Sequence, residues 1–331
     1  MRLLLVKLRH IGDSLLLTPT VKAVKEAYPD AHIDVVVRAG TESILRGCPD
    51  IRRIYTTASP EKSKRTSWSF LHALRLQTAI RREHYDVAID LGNNDRGRTI
   101  VGLSGAKKRC ANAYLYPVKW LWKQLLTDIG CNDWSVIHRV QADFLNVKDF
   151  IDLPQQEPGP LIFERGCASP PPISLTPGKP LVVFHPVTRW QRKRWTDAHW
   201  ISLGSSLIAQ NYQLIISVGP DPEEIAQGER LTQGIGQGCT STAGKMQWQH
   251  LAWLLYEGRL FVGVDTAAMH LAAATGCPTV ALFGPDSNAG NWGPWKTQHQ
   301  IVHFKSDEVS ALHEVESAAA RFLTLPTPTS A

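Results

Sequence analysis

Residues 261–283 read FVGVDTAAMHLAAATGCPTVALF, and this stretch is the strongest indication of the fold class. An apolar strand runs into Asp265 and Thr266, two residue types that favour the start of a helix. A short alanine-rich helix follows and ends at Gly276, and a second apolar strand closes the unit. Strand, helix and strand in this order predict an α/β fold with a parallel sheet.

The polar turn between the first strand and the helix also has the position of a ligand site. In α/β proteins, ligands bind at the carboxyl ends of parallel strands. The small residues Ala267 and Ala268 leave the first helix amides accessible, so an anionic group such as a diphosphate can bind there. The same residues equally fit a strand–helix–strand unit whose caps only stabilise it. Taken alone, the stretch leaves both interpretations open.

Alternating apolar strands and helices run through both halves of the chain. In the first half the predicted strands are 3–8, 33–37, 51–55 and 87–90, and the predicted helices are 14–27, one ending near Arg82, 118–129 and 135–150. In the second half the predicted strands are 181–185, 214–218, 260–263 and 279–283, and the predicted helices are 196–210, one after GPDPEE, 248–256 and 307–323. Such alternation indicates parallel sheets covered by helices on both faces.

The chain of 331 residues is long for one hydrophobic core, so we predict two domains. Eight prolines fall between residues 154 and 180, which marks a linker and expected hinge. The predicted organisation is a first domain over 1–153, the linker over 154–180 and a second domain over 181–305. A C-terminal helix and tail over 306–331 are expected to pack back on the body.

Cysteine spacing and charge indicate the cellular compartment and the chemistry of the partners. Six cysteines without CxxC spacing argue against a zinc site or a disulfide scaffold and fit a reducing cytoplasm. We find no signal peptide and no transmembrane helix pattern. Residues 51–82 carry eight Lys or Arg against one acid, which predicts an anionic partner. Nucleic-acid-binding motifs are missing from the sequence, so we expect a phosphorylated substrate or membrane surface and no nucleic acid.

A first candidate site follows the first strand, in the sequence RHIGD over residues 9–13. Gly12 permits a tight turn there, but a single glycine does not make the GxGxxG dinucleotide fingerprint, so an NAD site is not expected. Two roles fit Asp13: it caps the following helix, or it acts as a general base on a hydroxyl nucleophile.

A second candidate site follows the strand at 181–185, in HPVTRWQRKRW over residues 185–195. Thr188, Lys193 and Arg194 have the chemistry to grip a diphosphate, although a solvated basic loop has the same composition. Glu223 and Glu224 fit either a ribose contact or favourable acids in a first helical turn.

Two further candidate motifs lie in the second half of the chain. The segment 238–246 fails the P-loop pattern, so an NTPase is not expected. His270 fits either a phosphate contact or a structural role on its helix.

Taken together, these motifs resemble one family. KLRHIGDSLLLTP over 7–19, KRW over 193–195, AGK over 243–245 and the segment 260–284 resemble the ADP-heptose:lipopolysaccharide heptosyltransferases, glycosyltransferase family 9. The RHIGD variant, the IDL turn at Asp90 and WGPW over 292–295 look most like the heptosyltransferase III subgroup.

The resemblance implies a GT-B fold, in which two Rossmann-like domains with parallel sheets face each other across a cleft. It implies acceptor binding in the first domain, nucleotide-sugar binding in the second, and inverting transfer of a heptose from ADP-heptose to the lipopolysaccharide inner core. Asp13 matches the general base. The implied donor-site residues are Lys193, Glu223 or Glu224, Met246, Asp265, Thr266 and Ala267, to which we add the candidates Thr188 and His270. The implied acceptor-site residues are Lys62, Lys64 and Arg65, to which we add Arg9 and His10 of the first loop.

The same resemblance sets the expected cofactors and partners. No cofactor is expected, because ADP-heptose is a substrate, and the absence of an Asp-x-Asp pair predicts that a divalent metal is not essential. We expect a cytoplasmic monomer that associates peripherally with the anionic inner membrane surface of a Gram-negative bacterium. The alternatives are a family 9 enzyme with another donor sugar or acceptor, and a non-catalytic nucleotide-sugar-binding protein.

Overall fold

The computed structural model describes residues 1–57, 67–114, 117–285, 287–305 and 309–324. The chain divides into two compact units, Met1–Ile162 and Phe163–Ala331. The division falls inside the proline-rich segment 154–180.

Unit 1 is built on a six-stranded parallel sheet with the strand order β3-β2-β1-β4-β5-β6. Its strands are β1 Arg2–Lys7, β2 His32–Arg38, β3 Ile51–Thr57, β4 Val87–Asp90, β5 Lys108–Asn112 and β6 Asp128–Gly130. Its helices are α1 Ile11–Leu15, α2 Thr18–Ala27, α3 Ser67–Arg82, α4 Asp95–Leu103, α5 Trp120–Leu125 and α6 Arg139–Lys148, with a 3-10 helix over Glu42–Gly47.

Unit 2 repeats this topology, with the strand order β12-β11-β10-β7-β8-β9 and all neighbours parallel. Its strands are β7 Leu181–His185, β8 Gln213–Ile216, β9 Cys239–Ser241, β10 Gly258–Val264, β11 Thr279–Phe283 and β12 His299–His303. Its helices are α7 Asp197–Ala209, α8 Pro222–Ile235, α9 Trp248–Glu257, α10 Ala267–Ala274, α11 Ala289–Trp292 and α12 Val309–Thr324, with 3-10 helices over Arg165–Cys167 and Gln191–Lys193.

The predicted α/β class with parallel sheets is confirmed. In each sheet the first three strands are added in one direction across the sheet, and the next three are added on the other side of the first strand. The strand order therefore reverses between β1 and β4 in unit 1 and between β7 and β10 in unit 2. Such a reversal opens a crevice at the carboxyl ends of the strands, which is where doubly wound sheets hold ligands. Each sheet therefore supplies one such edge, which we call its carboxyl edge.

Burial follows the sheet architecture. Leu3, Leu4, Leu5 and Val6 of β1 are all fully buried, because a central parallel strand has helices on both faces. The tail helix α12 packs within unit 2 against β10, β12 and α7, with Ala311, Val315 and Ala318 in the core.

Several boundaries differ from the sequence-based expectation. The predicted helix 14–27 is two helices, α1 and α2, separated at Leu16 and Leu17, with Pro19 in the first turn of α2. Proline lacks the amide hydrogen that a continuous helix needs, so it starts a new helix instead. The predicted helix 118–129 is also wrong at its end, because α5 stops at Leu125 and strand β6 begins at Asp128.

Candidate functional site

The carboxyl edge of unit 2 is organised around an ion pair between Lys193 and Asp265. Lys193 lies in the loop after β7 and Asp265 follows β10, so two neighbouring strands bring together residues 72 positions apart. Lys193 Nζ lies 2.5 Å from Asp265 Oδ2, and the two side chains are 19% and 11% exposed. The pair is thus held at the sheet edge but stays accessible to a ligand.

Gly284 fixes the position of the loop after β7 that carries Lys193. A Cβ atom at Gly284, just after β11, would lie 2.6 Å from the carbonyl oxygen of Arg192 and 3.1 Å from Cα of Lys193. The backbone of Lys193 therefore packs directly on a glycine, and any larger residue would displace it.

The start of α10 is open on its amide side. Thr266 has the extended backbone of an N-cap residue, but its side chain accepts no bond from the helix. Its Oγ1 instead donates to the Val264 carbonyl at 3.3 Å, and the Asp265 carboxylate accepts from Lys193. Thr266 therefore occupies the N-cap position, as its residue type predicted, but its side chain makes no bond to the helix amides. The first amides of α10, beside Ala267, keep the anion-binding character of a helix N-terminus.

His270 lies one turn further along α10 and is 4% exposed. Its ring is therefore part of the packed interior of unit 2. Ala268, between these positions, is fully buried.

The basic loop after β7 contains Thr188 and Arg194 in linked positions. Thr188 is buried, and Arg194 Nε donates to its carbonyl oxygen at 3.3 Å. Arg194 Nη1 also lies 2.7 Å from Glu223 Oε1. This ion pair lowers the pKa of the Glu223 carboxyl below its usual value.

The two adjacent glutamates have different surroundings. Glu224 Oε2 accepts from the Gly219 amide at 2.9 Å, and burial raises the pKa of the Glu224 carboxyl. Glu223 is exposed and engaged by Arg194. Neither caps α8, because Asp221 does so by accepting from the Glu223 amide at 2.9 Å.

Met246 is half-buried in the loop after β9. The preceding Gly244 has a φ of +68°, and a Cβ there would lie 2.7 Å from the Gly219 carbonyl oxygen. This close approach sets the Met246 loop against the loop that precedes α8, the helix whose first turn carries Glu224. The donor-site residues predicted from sequence thus follow β7, β8, β9 and β10 or begin the helix beside them.

In unit 1, Asp13 lies at the carboxyl edge, in the third position of α1, and is 7% exposed. Its Oδ2 accepts from the His10 amide at 3.1 Å, so the capping role is present. A carboxylate offers about four acceptor positions, and one bond leaves room for another partner. Arg9 and His10 are exposed beside it. Lys62, Lys64 and Arg65 lie outside the described residues.

Sequence reasoning missed a buried ion pair behind Asp13. Lys7, the last residue of β1, bonds Asp143 of α6, and both are at least nine-tenths buried. Burial raises the pKa of Asp143, while Lys7 and Arg139 oppose that shift and Asp13 adds to it. A lysine ending an apolar strand gives no sign of a partner 136 residues away, so only the tertiary structure reveals the pair.

Asp90, the carboxyl of the IDL turn named above, is fully buried at the end of β4. Its Oδ1 accepts from the Gly92 amide at 3.0 Å, and a Cβ on Gly97 would lie 2.2 Å from the same oxygen. Burial raises the pKa of Asp90 to about 6, against the opposing charge of Arg98.

Among the described residues, no group of three or more His, Cys, Asp or Glu side chains is arranged to hold a metal ion. The helices in those same ranges include none with the length and apolarity to cross a membrane.

His185 makes the stability of the protein pH-dependent. It ends β7 with its ring 3.3 Å from Ser217 Oγ, and burial lowers the pKa of His185 to about 4. In the unfolded chain a histidine titrates near pH 6.5, so the unfolded state binds more protons between these two values. Stability is therefore present above about pH 6.5 and is lost as the pH falls toward 4.

We expect this histidine to cost about 2 kcal/mol of folding free energy at about pH 5. The measurement compares urea midpoints of the wild type and His185→Gln at about pH 7 and pH 5. The variant should lose less stability on acidification. The raised pKa of Asp90 changes stability with pH in the opposite direction, but Asp90 is present in both proteins, so its contribution cancels when their losses are compared. Equal losses in both proteins would contradict the assignment.

A family model and a curated relative that match this chain both describe heptosyltransferases. The model of Glycosyltransferase family 9 (heptosyltransferase) matches residues 73–320. Lipopolysaccharide heptosyltransferase 3 of Escherichia coli is 28% identical over 302 residues, covering 87% of this chain and 84% of that protein.

Two solved structures are similar over almost the whole chain. E. coli heptosyltransferase WaaC with ADP has a TM-score of 0.84 at 21% identity, covering 97% of this chain and 100% of that chain. The E. coli ADP-heptose lps heptosyltransferase II has a TM-score of 0.77 at 20% identity, with 98% of each chain covered. These similarities confirm the expected GT-B fold class.

Proposed function

The chain belongs to glycosyltransferase family 9 (heptosyltransferase), and we propose that it transfers a heptose from ADP-heptose to the inner core of lipopolysaccharide. The observation that carries this proposal is the Lys193–Asp265 pair beside the start of α10, where the N-cap residue makes no side-chain bond to the first helix amides. A cation and free helix amides at a strand's carboxyl edge are what a nucleotide diphosphate requires.

The donor site follows from these contacts. The diphosphate binds the first amides of α10 and Lys193, whose ammonium has three donors and can keep Asp265 while it serves phosphate oxygens. The buried Thr188 hydroxyl completes the phosphate side, whereas His270, packed in the interior of unit 2, has the structural role. Met246 packs on the adenine.

Of the two glutamates, we assign the ribose contact to Glu224. Glu223 is already engaged by Arg194, whereas Glu224 is held by the Gly219 amide through one oxygen and offers the other to ribose hydroxyls. Acidic residues serve that purpose in other nucleotide sites.

The reaction we propose is a single displacement with inversion at the anomeric carbon. Asp13 takes the proton of the acceptor hydroxyl as its oxygen forms a bond to that carbon. The bond from the carbon to the β-phosphate oxygen breaks, and ADP leaves with the electron pair. Lys193 and the α10 amides stabilise the charge that develops on the β-phosphate.

The surroundings of Asp13 suit this task. The His10 amide holds one carboxylate oxygen, which fixes the orientation of the group and leaves the second oxygen for the substrate. Arg9 and the sequence-predicted Lys62, Lys64 and Arg65 supply cations for the anionic inner core of the acceptor, and His10 supplies a hydrogen-bonding side chain beside them.

We predict that chelation leaves the rate unchanged. The charge of the leaving ADP is met by Lys193 and backbone amides, so a divalent ion is not needed. Transfer rates should agree within about twofold with EDTA and with added Mg²⁺. A loss of more than about tenfold in EDTA that Mg²⁺ restores would overturn this prediction.

Donor choice separates the remaining alternatives. Release of nucleotide is measured with ADP-heptose, ADP-glucose and a uridine-linked sugar, each with truncated lipopolysaccharide as acceptor. We expect rapid ADP release from ADP-heptose alone, by a protein that elutes as a monomer in light-scattering chromatography. Faster turnover of another donor would indicate a different family 9 activity, and binding without turnover would indicate a non-catalytic module.

A further inference from the structure

The N-terminal ends of α3 and α5 expose large apolar side chains in unit 1. These are Phe70, Leu71, Leu74, Trp120 and Leu121, with exposed fractions of 72%, 42%, 54%, 74% and 50%. We call this set the apolar rim. A helix that faces water only would carry polar residues at such positions, so a surface of this kind needs an explanation.

The two helices belong to one layer of the fold. Leu76 and Ile80 of α3 share a core cluster with Leu126, which follows α5, and with Trp122. Helix α4 lies between them in contact with both: Gln77 of α3 donates to the Ile100 carbonyl at 3.4 Å, and Trp122 of α5 donates to the Asp95 carbonyl at 3.2 Å. The apolar rim is therefore on one face of unit 1.

The apolar rim also lies toward the carboxyl edge. A helix that connects two parallel strands runs antiparallel to them, so its first turns stand at the carboxyl ends of the strands. Phe70, Leu71 and Leu74 are in the first half of α3, and Trp120 and Leu121 begin α5. Asp13 and Arg9 follow β1 at the same edge.

The charged residues of the two rim helices are all basic. Near the rim, α3 carries Arg75 and α5 carries Lys123, preceded by Lys119, and neither helix contains an acid. Arg75, Lys119 and Lys123 are exposed. Asp95 of α4 is an acid in the same helix layer, and it is paired with Lys119 at 2.7 Å.

Exposed aromatic and leucine side chains flanked by Lys and Arg are the features of a surface that lies in a membrane interface. We propose that the apolar rim inserts into the headgroup region of an anionic phospholipid bilayer, with the flanking cations on lipid phosphates. Resting on the proposed function, this contact brings the edge that carries Asp13 to an acceptor anchored in that bilayer.

The test measures co-sedimentation of the full chain with phosphatidylcholine vesicles that contain phosphatidylglycerol. The variant is Phe70→Ser/Leu74→Ser/Trp120→Ser. The matched control is Leu103→Ser. Leu103 is an exposed leucine at the C-terminal end of α4, in the same helix layer but away from the carboxyl edge. Each rim side chain should contribute about tenfold to the partition coefficient if it is fully buried in lipid, so the triple variant should bind at least about a hundredfold more weakly. The control should stay within about twofold of the wild type.

Two further readouts test insertion and charge. Vesicles with brominated acyl chains should quench the wild-type tryptophan fluorescence, and Trp120→Phe should remove most of that quenching while binding persists. Arg75→Gln/Lys123→Gln should weaken binding at low salt and flatten its salt dependence, because two lipid-facing charges are lost.

Three results would overturn the proposal: wild type that does not bind anionic vesicles, a triple variant that binds like the wild type, or equal loss in Leu103→Ser. If the apolar rim instead holds two copies of the chain together, the wild type would be a dimer, the triple variant a monomer, and neither would bind vesicles.

Transfer to a delipidated core oligosaccharide separates this proposal from the proposed function. The triple variant should match the wild type there and fall behind only with vesicle-embedded lipopolysaccharide. Wild type inactive on both acceptors would refute the transferase, while vesicle binding would still support insertion.

Discussion

Replacement of Asp13 by asparagine is expected to lower the transfer rate by about 10²–10⁴, the usual contribution of a positioned general base. The amide oxygen of asparagine can still accept from the His10 amide, so α1 and the fold should be retained. What is lost is the ability to take the hydroxyl proton. The proposed ADP site lies in unit 2, so the affinity for ADP should not change.

The measurement is kcat for transfer beside the dissociation constant for ADP. Asp95→Asn is the matched control, because it removes an exposed carboxylate from the start of α4 at the same sheet edge. That control should keep its rate within about threefold. Normal turnover by Asp13→Asn would refute the assignment of the base.

Lys193→Gln is expected to have the second large effect, and it should differ in kind. The rate should fall by about 10²–10³, because a preorganised charge at the leaving phosphate is removed. ADP should also bind at least about tenfold more weakly, since a charged hydrogen bond to the ground-state diphosphate is lost. A variant that loses rate and nucleotide affinity together is thereby distinguished from Asp13→Asn.

Arg192→Gln is the control for this position, since it removes one cation from the neighbouring residue of the same loop and should change both constants by less than about threefold. Lys193 and Asp265 are in contact, so their effects should not add. Asp265→Asn on its own leaves the lysine available, and the double variant should be less impaired than the sum of the two single losses. Strict additivity, or wild-type ADP affinity in Lys193→Gln, would contradict the proposed phosphate site.

Much of the fold could be predicted from local sequence. Strands β4, β7 and β11 match their predicted ranges because each is an apolar run bounded by polar residues, proline or glycine. The stop of α10 is also confirmed, with Gly276 at a φ of +73°. Buried central strands give a strong signal because both of their faces need apolar side chains.

The elements that were missed are short or polar. Strand β5 reads KRCAN and edge strand β12 reads HQIVH, and neither has a continuous apolar run. Edge strands β6 and β9 have three residues each, too few to show a period. Their place in the sheets comes from pairing with a neighbouring strand, which sequence periodicity does not contain.

The candidate site divides in the same way. Asp13, Lys193 and Asp265 could be predicted because each follows an apolar strand, where α/β proteins place ligand-binding residues. The bond between Lys193 and Asp265, the one between Lys7 and Asp143, and the burial of Asp90 depend on which strands become neighbours. Those contacts join residues far apart in the chain. The sequence therefore identifies the candidate residues, and only the tertiary structure shows which of them are in contact.

The most direct test is to incubate the protein with ADP-heptose and truncated lipopolysaccharide and to determine the mass and anomeric configuration of the product. We expect the acceptor to gain one heptose for each ADP released, with the configuration opposite to that of the donor. An acceptor of unchanged mass, or a product that retains the donor's configuration, would contradict inverting heptose transfer with Asp13 as the base.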